Sequence, residues 1–439
     1  MSLSAAAPPI SLVRRYWRDQ ALWTTIADIF AMLAALALPW STTLLAIFVP
    51  CWLGAVAWVM DWRAYGRLLK QPICYLPLAL VGLALVGTLW SDAAWSARLY
   101  AVSPTLKLLV LPGLFYHFQR SSRGMWVFIA FLVSCSLLMV MSWIVAYDPS
   151  LSLKPSQGDG GAVFVKNYID QSQEFALCAV ALIYPFMRFV RAEKFWPALL
   201  LGLLLVGFFG TMAFIVASRT AIVTMPIMVG VFALLHLRRR TSLIIIGVMI
   251  AFVGALWFAT SDVNESQPEQ SYLRWGPKRL LKDYQLYKTE QRVTSIGLRL
   301  DFWQKSLRFI SEAPVIGHGT GSLRGLFQRA ATGYANPPQG DIISNPHNQT
   351  LNVAVQWGMT GVLLLYAMWL VHLRLFRGEG FVAWLGILVV VQNVFTSLFN
   401  SHLFDFHEGW MYVLGVGVAG GMMLATRQRE PLAAPVIPR

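Results

Sequence analysis

Acidic residues are scarce in this sequence: 21 Asp and Glu stand against 35 Lys and Arg in 439 residues. No CxxC or HExxH motif occurs and the seven histidines are scattered, so a zinc site is not expected. The four cysteines, Cys51, Cys74, Cys135 and Cys178, all fall inside apolar runs, which makes them small packing residues and excludes a disulfide framework in a polar loop. The alternation of polar and apolar residues that marks a barrel strand is missing too.

What the chain has instead is apolar length. It is 57% hydrophobic and 13% charged, with a mean hydropathy of +0.57, a balance that soluble domains rarely approach. The runs are about 18 to 22 residues long, enough for an α-helix to cross about 30 Å of hydrocarbon. The expected fold is therefore all-α, a polytopic membrane protein with about 12 transmembrane helices. The expected spans are about 21–38, 42–60, 73–90, 101–118, 124–146, 172–190, 197–217, 221–237, 241–260, 347–372, 380–399 and 409–425. Three regions follow: residues 1–260 with helices 1–9, a long polar segment 261–346, and residues 347–439 with helices 10–12 and a tail.

Charge sets the expected orientation. Arg14, Arg15 and Arg18 precede the first run, which lacks a small-residue cleavage site and reads as a retained helix. With both termini cytoplasmic, alternate short loops carry Arg63, Arg67 and Lys70, then Arg120 and Arg123, then Arg188, Arg191 and Lys194, then Arg238 to Arg240. The opposite short loops carry few basic residues, as the positive-inside rule requires. Most of the +14 formal charge is thus topogenic, lying beside anionic lipid, and no nucleic-acid partner is expected. The 261–346 segment falls on the outer, periplasmic side of a bacterial inner membrane. Its basic residues, among them Arg274, Lys278, Arg279, Lys282, Lys288, Arg292, Arg324 and Arg329, make either a solvated basic face or an anion site.

Three positions break the rules of a membrane protein. Arg219 lies between two apolar runs on the outer side, where a cation either snorkels to the interface or faces a cavity or an anion. Lys107 lies within a span that also holds Pro104 and Pro112, which suggests a broken helix lining a cavity, and Arg98 precedes that span. From Ile296 to Ile310, apolar Ile296, Leu300, Trp303, Leu307 and Ile310 recur at helical spacing and describe an amphipathic helix with Arg299 on its buried stripe. A guanidinium there either snorkels or donates paired hydrogen bonds to phosphate.

The last signal is the seam Pro346-His347-Asn348, where the polar segment ends and an apolar run begins. A histidine opening a helix is a cap, a packed residue or a general base. Asn348 and Gln349 offer amides to orient sugar hydroxyls or the imidazole. Gly358 and Gly361, three apart, permit close helix contact. The Pro314–Ser322 stretch, rich in glycine, reads as a helix stop and sharp turn, and 331–346 as a lid or loop.

Taken in order, Ser218-Arg219, Gly297-Leu298-Arg299 leading to Trp303, Pro314 to Gly321, and His347-Asn348 followed by Gly358 and Gly361 resemble the O-antigen ligase and polymerase superfamily. By motif the resemblance covers residues 200 to 375, and by span layout the whole chain. It implies a glycosyltransferase that moves a glycan en bloc from undecaprenyl diphosphate to a sugar of lipid A-core, on the outer face, without a metal or other cofactor. It implies that Arg219 and Arg299 bind the diphosphate and that His347 is the base. Arg98, Lys107, Asn348 and Gln349 are further substrate-binding candidates. Polymerisation of lipid-linked repeats, oligosaccharide transfer to protein, and flipping of a lipid-linked glycan are the alternatives.

Overall fold

The computed structural model describes residues 19–153, 162–165, 167–215, 218–259, 285, 295–331 and 345–429, which form helices and no strand. In chain order the helices are α1 (Gln20–Ala37), α2 (Thr42–Val59), α3 (Trp62–Leu69), α4 (Pro72–Val86), α5 (Trp95–Val102), α6 (Leu111–Phe118), α7 (Gly124–Tyr147) and α8 (Tyr168–Arg191). There follow α9 (Phe195–Phe214), α10 (Arg219–His236), α11 (Arg239–Ala259), α12 (Ser295–Glu312), α13 (Leu323–Ala331), α14 (Gln349–Leu375), α15 (Phe381–Thr396) and α16 (Phe406–Arg429). Their starts are set by side chains that accept the first free N–H groups: Asp19 for α1, Ser41 for α2, Asn167 for α8, Ser218 for α10 and Asn348 for α14.

Each of the twelve expected positions carries a helix. Among the described residues, eight helices are long and apolar enough to cross a bilayer, and a ninth span is made if α3 and α4, bent by 77° to one another, count as one. The expected 73–90 helix stops at Val86, and α15, Phe381–Thr396 where 380–399 is expected, is short for a full crossing. The protein is a multi-pass membrane protein. Its surface agrees: on α9, Leu200, Leu203, Val206 and Phe214 are all more than half exposed, which costs least in hydrocarbon.

Two spans are broken, and the breaks build the site. Between α5 and α6, residues Ser103–Val110 tighten into a 3-10 helix that starts with Pro104 at its second position, and Pro112 sits in the first turn of α6. The broken helix expected from these prolines is present. The second break is in α14, where Gly358 takes φ +61, ψ −158, a conformation open almost only to glycine. Spacing alone reads Gly358 as a packing contact; in the structure it ends one half-helix and starts another.

The groups released by that break find partners in the glycine-rich segment after α12. The N–H groups of His318 and Gly319 donate to the carbonyls of Val355 and Gln356 at 2.9 and 2.8 Å, and those of Met359 and Thr360 donate to Pro314 and Val315 at 2.8 and 3.2 Å. Thr320 bonds through both N–H and hydroxyl to α4 and its end, at Gly87 and Ala84. The expected sharp turn is therefore an embedded strap, docked by backbone bonds that unpaired would each cost several kcal/mol in lipid, on the order of 2–7. Gly317, at φ +65, packs against the Gln356 carbonyl at a distance that leaves no room for a Cβ.

Helix α12 lies against this strap, and its packed face takes in only part of the expected stripe: Trp303 and Ile310 pack against the buried cluster, with its centre shifted to other residues. Phe302, Ser306 and Phe309 are buried, packing with Leu323, Leu326, Phe327 and Val355, whereas Leu307 is 60% exposed. Phe302 and Phe309 are the deepest apolar side chains of the face, and Leu307 points away from it because beside a bilayer an apolar side chain is stable on the outer side too. Arg299, three residues before Phe302, keeps an inward, half-buried position. The side chain of Ile296, the basic residues from Arg274 to Arg292, and 332–344 of the expected lid lie outside the described residues. Asp28, the isolated acid of the first span, accepts from Ser121 Oγ (2.7 Å) and His117 Nε2 (2.8 Å) and joins α1 to α6 and the start of α7.

Replacing Gly358 by Ala puts a Cβ into the Val315 carbonyl and forces a strained φ, the latter alone worth about 1–3 kcal/mol. The variant is expected to insert but to release the strap, seen as new protease cleavage near 314–320 and a lower melting temperature in detergent than Gly361→Ala.

Candidate functional site

His347 stands where the N-terminal half of α14 meets the turn between α15 and α16. Its backbone is left-handed at φ +51, rare for a residue with a side chain and frequent where a side chain must be aimed. Asn345 holds it there: its Oδ1 accepts the His347 N–H at 3.0 Å and the Ser401 hydroxyl at 2.8 Å. The Trp303 indole donates to the Pro346 carbonyl at 3.1 Å, and the Phe302 ring lies 6.3 Å from the imidazole, so α12 covers one side. The imidazole Nδ1 is 3.0 Å from Asn400 Oδ1.

Arg299 is drawn to the same place. Among the described residues it has no carboxylate partner; Tyr168 at the start of α8 is the group that interacts with it, and its charge reaches both His347 and His402. Burial pulls the guanidinium below its ordinary value, the mark of a cation partly removed from water without an anion. Arg219 is the first residue of α10, next to Ser218, whose hydroxyl accepts from Ser172 Oγ of α8 at 2.7 Å. The backbone of Arg219 thus lies at the same end of α8 as Tyr168. Its side chain is outside the described residues.

Beside His347 opens a cavity of about 1200 Å³, walled by α2, the 3-10 stretch and the Ser401–Phe406 turn, with Lys107, Asn345, Asn352, Ser401 and Asp405 on its lining. Lys107 is buried, and its ammonium donates to the carbonyls of Phe404 and Asp405, beside the Asp405 and Glu408 carboxylates. The other candidates are occupied differently. Arg98 donates to the carbonyls of Ala93 (2.6 Å) and Thr88 (2.7 Å) and stacks on Trp95. Asn348 caps α14 through Leu351 N–H and donates to the Leu398 carbonyl, and Gln349 is buried with its Oε1 on Leu403 N–H. These amides hold backbone in place, and the imidazole is oriented by Asn400.

The acids and histidines that look scattered in the sequence converge here. Asp170 of α8 pairs with His407 at 2.6 Å, and His402 lies 3.9 Å from Glu408. Among the described residues His402, Asp405 and Glu408 are the group able to hold a metal ion, with donor atoms within 4.8 Å of one another. The signal in the sequence is the dense polar run Asn400-Ser401-His402-Leu403-Phe404-Asp405-Phe406-His407-Glu408 between two apolar helices. Burial pushes the Asp405 carboxyl up to about 7, opposed by Lys107, and pushes His402 down to about 4, with Asp170 opposing and Arg299 and His347 adding.

Burial also lowers His347 below its ordinary 6.5, opposed by its bond to Asn400 and aided by Arg299. The shift favours the unprotonated imidazole, able to accept a proton, and puts the midpoint of its protonation below the ordinary 6.5. Taking away the Arg299 charge favours the imidazolium, so Arg299→Gln is expected to raise the pKa of His347, and of His402 with it. Titration of ¹⁵N-labelled histidines in nanodiscs measures both, and unmoved values would place the guanidinium elsewhere.

A family model described as O-antigen ligase matches residues 204–366. The matched segment takes in Arg219, Arg299, the strap, His347 and Gly358, the same ordered features that carry the resemblance in the sequence. The match supports an enzyme of the ligase or polymerase type, a glycosyltransferase working on a lipid-linked glycan. No curated protein matches the chain.

Proposed function

We propose that this chain, whose residues 204–366 match the O-antigen ligase family, is such a ligase: it transfers a glycan en bloc from undecaprenyl diphosphate to a sugar of lipid A-core, at the periplasmic face of a bacterial inner membrane. The observation that carries the reading is a half-buried imidazole, aimed by Asn345 and Asn400 and acted on by an arginine that has no carboxylate partner among the described residues, inside the matched segment and next to the Asn345 and Ser401 wall of a large cavity.

The reaction needs a base, an anion cradle and two substrates brought together. His347 takes the proton from the acceptor hydroxyl, whose oxygen attacks the anomeric carbon as the bond to the diphosphate oxygen breaks. Undecaprenyl diphosphate leaves and the anomeric configuration inverts, since one displacement is made. Arg299, with Arg219, takes the negative charge that grows on the diphosphate; in a partly desolvated pocket an arginine fork is worth more than in water. Lys107 adds fixed positive charge to the cavity wall. Both substrates arrive confined to one membrane, which supplies part of the rate through orientation.

Reconstitution of the purified chain with undecaprenyl-diphosphate glycan and lipid A-core is expected to give glycosylated lipid A-core. Longer lipid-linked chains in place of that product would make it a polymerase, and lipid translocation with no new glycosidic bond would make it a flippase. His347→Ala is expected to lower the rate by about 10²–10⁴-fold. Arg299→Lys should lose about 10²-fold, because a point charge does not replace a bidentate fork. Wild-type rates in either variant would remove that residue from the chemistry. Transfer is expected to survive thorough chelation; loss of activity restored by a divalent ion would give His402, Asp405 and Glu408 a metal to hold.

A further inference from the structure

The hydrogen bonds around His347 fix which of its nitrogens carries the proton, and they do so from a donor that has no alternative. The main-chain N–H of His347 can only donate, and it donates to one atom of the Asn345 amide, which also accepts the Ser401 hydroxyl. That atom is therefore the Asn345 oxygen. The nitrogen of the same amide then points at Asn400, 3.0 Å away, so Asn400 presents its oxygen to Asn345 and to the imidazole alike. On the other side, Asn400 Nδ2 lies 2.6 Å from Asp405 Oδ2, in keeping with that orientation. Nδ1 of His347, 3.0 Å from the Asn400 oxygen, has to be the protonated nitrogen, and Nε2 keeps the lone pair.

We infer that Asn400, backed by Asp405 and Asn345, is the positioning residue of His347: it locks the proton on Nδ1 and leaves Nε2 as the basic nitrogen. The inference rests on the reading of His347 as the base. Asn400 lies 53 residues beyond His347 and outside the segment matched by the family model. As the acceptor O–H breaks, its electron pair forms the new bond to the anomeric carbon, the anomeric C–O bond to the diphosphate breaks with its pair leaving on the phosphate oxygen, and the proton goes to Nε2. The imidazolium so formed carries its charge partly on Nδ1–H, against an amide oxygen polarised by the carboxylate behind it.

An amide suits this place better than a carboxylate. The charge acting on the imidazole is that of Arg299 of α12, with His402 as its titratable neighbour; Asp170 of α8, Asp405 of the turn, Lys107 of the 3-10 stretch and Glu408 of α16 act on one another and on His402 behind it, and Tyr168 acts on Arg299. A carboxylate in direct contact with Nδ1 would favour the imidazolium and hold the base protonated; Asn400 orients the ring without adding that charge, and the acid stands one side chain further back.

Exchanging the two groups tests this. The double variant Asn400→Asp with Asp405→Asn keeps the number of hydrogen bonds and the net charge but puts the carboxylate on the imidazole. It is expected to raise the pKa of His347 by about one unit or more and to move the acid limb of transfer to higher pH by the same amount. In the wild-type chain in nanodiscs, ¹⁵N spectra of labelled histidine, assigned with His347→Gln, should show Nδ1 protonated and Nε2 with a lone pair. Asn400→Ala should give a mixture of tautomers and a fall in kcat of about 10–100-fold with little change in KM. A wild-type proton on Nε2, or an unmoved pKa in the exchanged variant, would overturn the assignment. The spectra need no substrate, so a chain that shows the expected tautomer but makes no glycosylated product refutes the ligase reading and leaves the positioning role standing.

Discussion

Backbone groups at membrane depth must find partners within the protein, and here that demand is concentrated at Gly358. A helix that breaks in hydrocarbon releases carbonyls and N–H groups which no water can take. The Pro314–Thr320 strap supplies the missing half of those bonds and is itself tied to α4 through Thr320. Everything at the site hangs from this arrangement. The half-helix Gln349–Trp357 is held at its own angle, α12 is laid over it by Phe302 and Phe309, and Arg299 is carried inward as a result.

The second constraint is electrostatic. A cluster of lysine, histidines and three carboxylates beside a half-buried arginine, in a largely apolar bundle, is costly unless the charges compensate one another at short range. Compensation is close but deliberately incomplete. Asp170 has His407, Asp405 has Asn400 and the nearby Lys107, and Asp28 at the far end of the bundle has His117 and Ser121. Arg299 has no such acid among the described residues. A half-buried cation without an acid among the described residues favours an anion, and the diphosphate of the proposed donor would meet that demand.

Much of this was legible in the order of residues. Apolar run length placed a helix at each of the twelve expected positions, because the bilayer makes length itself informative. Pro104 and Pro112 announced the broken span, and Lys107 within it pointed to the cavity. What stayed hidden was pairing at a distance. Gly358 looks like a packing glycine until the strap forty residues earlier is seen against it. Asn348 and Gln349, adjacent to His347, seemed the amides to orient it, yet a helix start needs a cap more than a neighbouring ring needs a partner. The partner is Asn400, which only folding brings near. On α12, Leu307 misled the reading because an exposed leucine is unremarked beside lipid, so apolarity there does not tell inside from outside. The convergent acids were masked in the same way: Asp170, Asp405 and Glu408 are far apart in sequence and sit singly among apolar neighbours.

Lys107 gives one of these features a wider meaning. Its ammonium sits on the Phe404 and Asp405 carbonyls, within the group formed with Asp405 and Glu408. A cation delivered by the chain has no dissociation constant and no exchange rate. It arrives with synthesis, is not stripped away by the phosphates of lipid head groups, and keeps the same occupancy whatever the ionic composition around the protein.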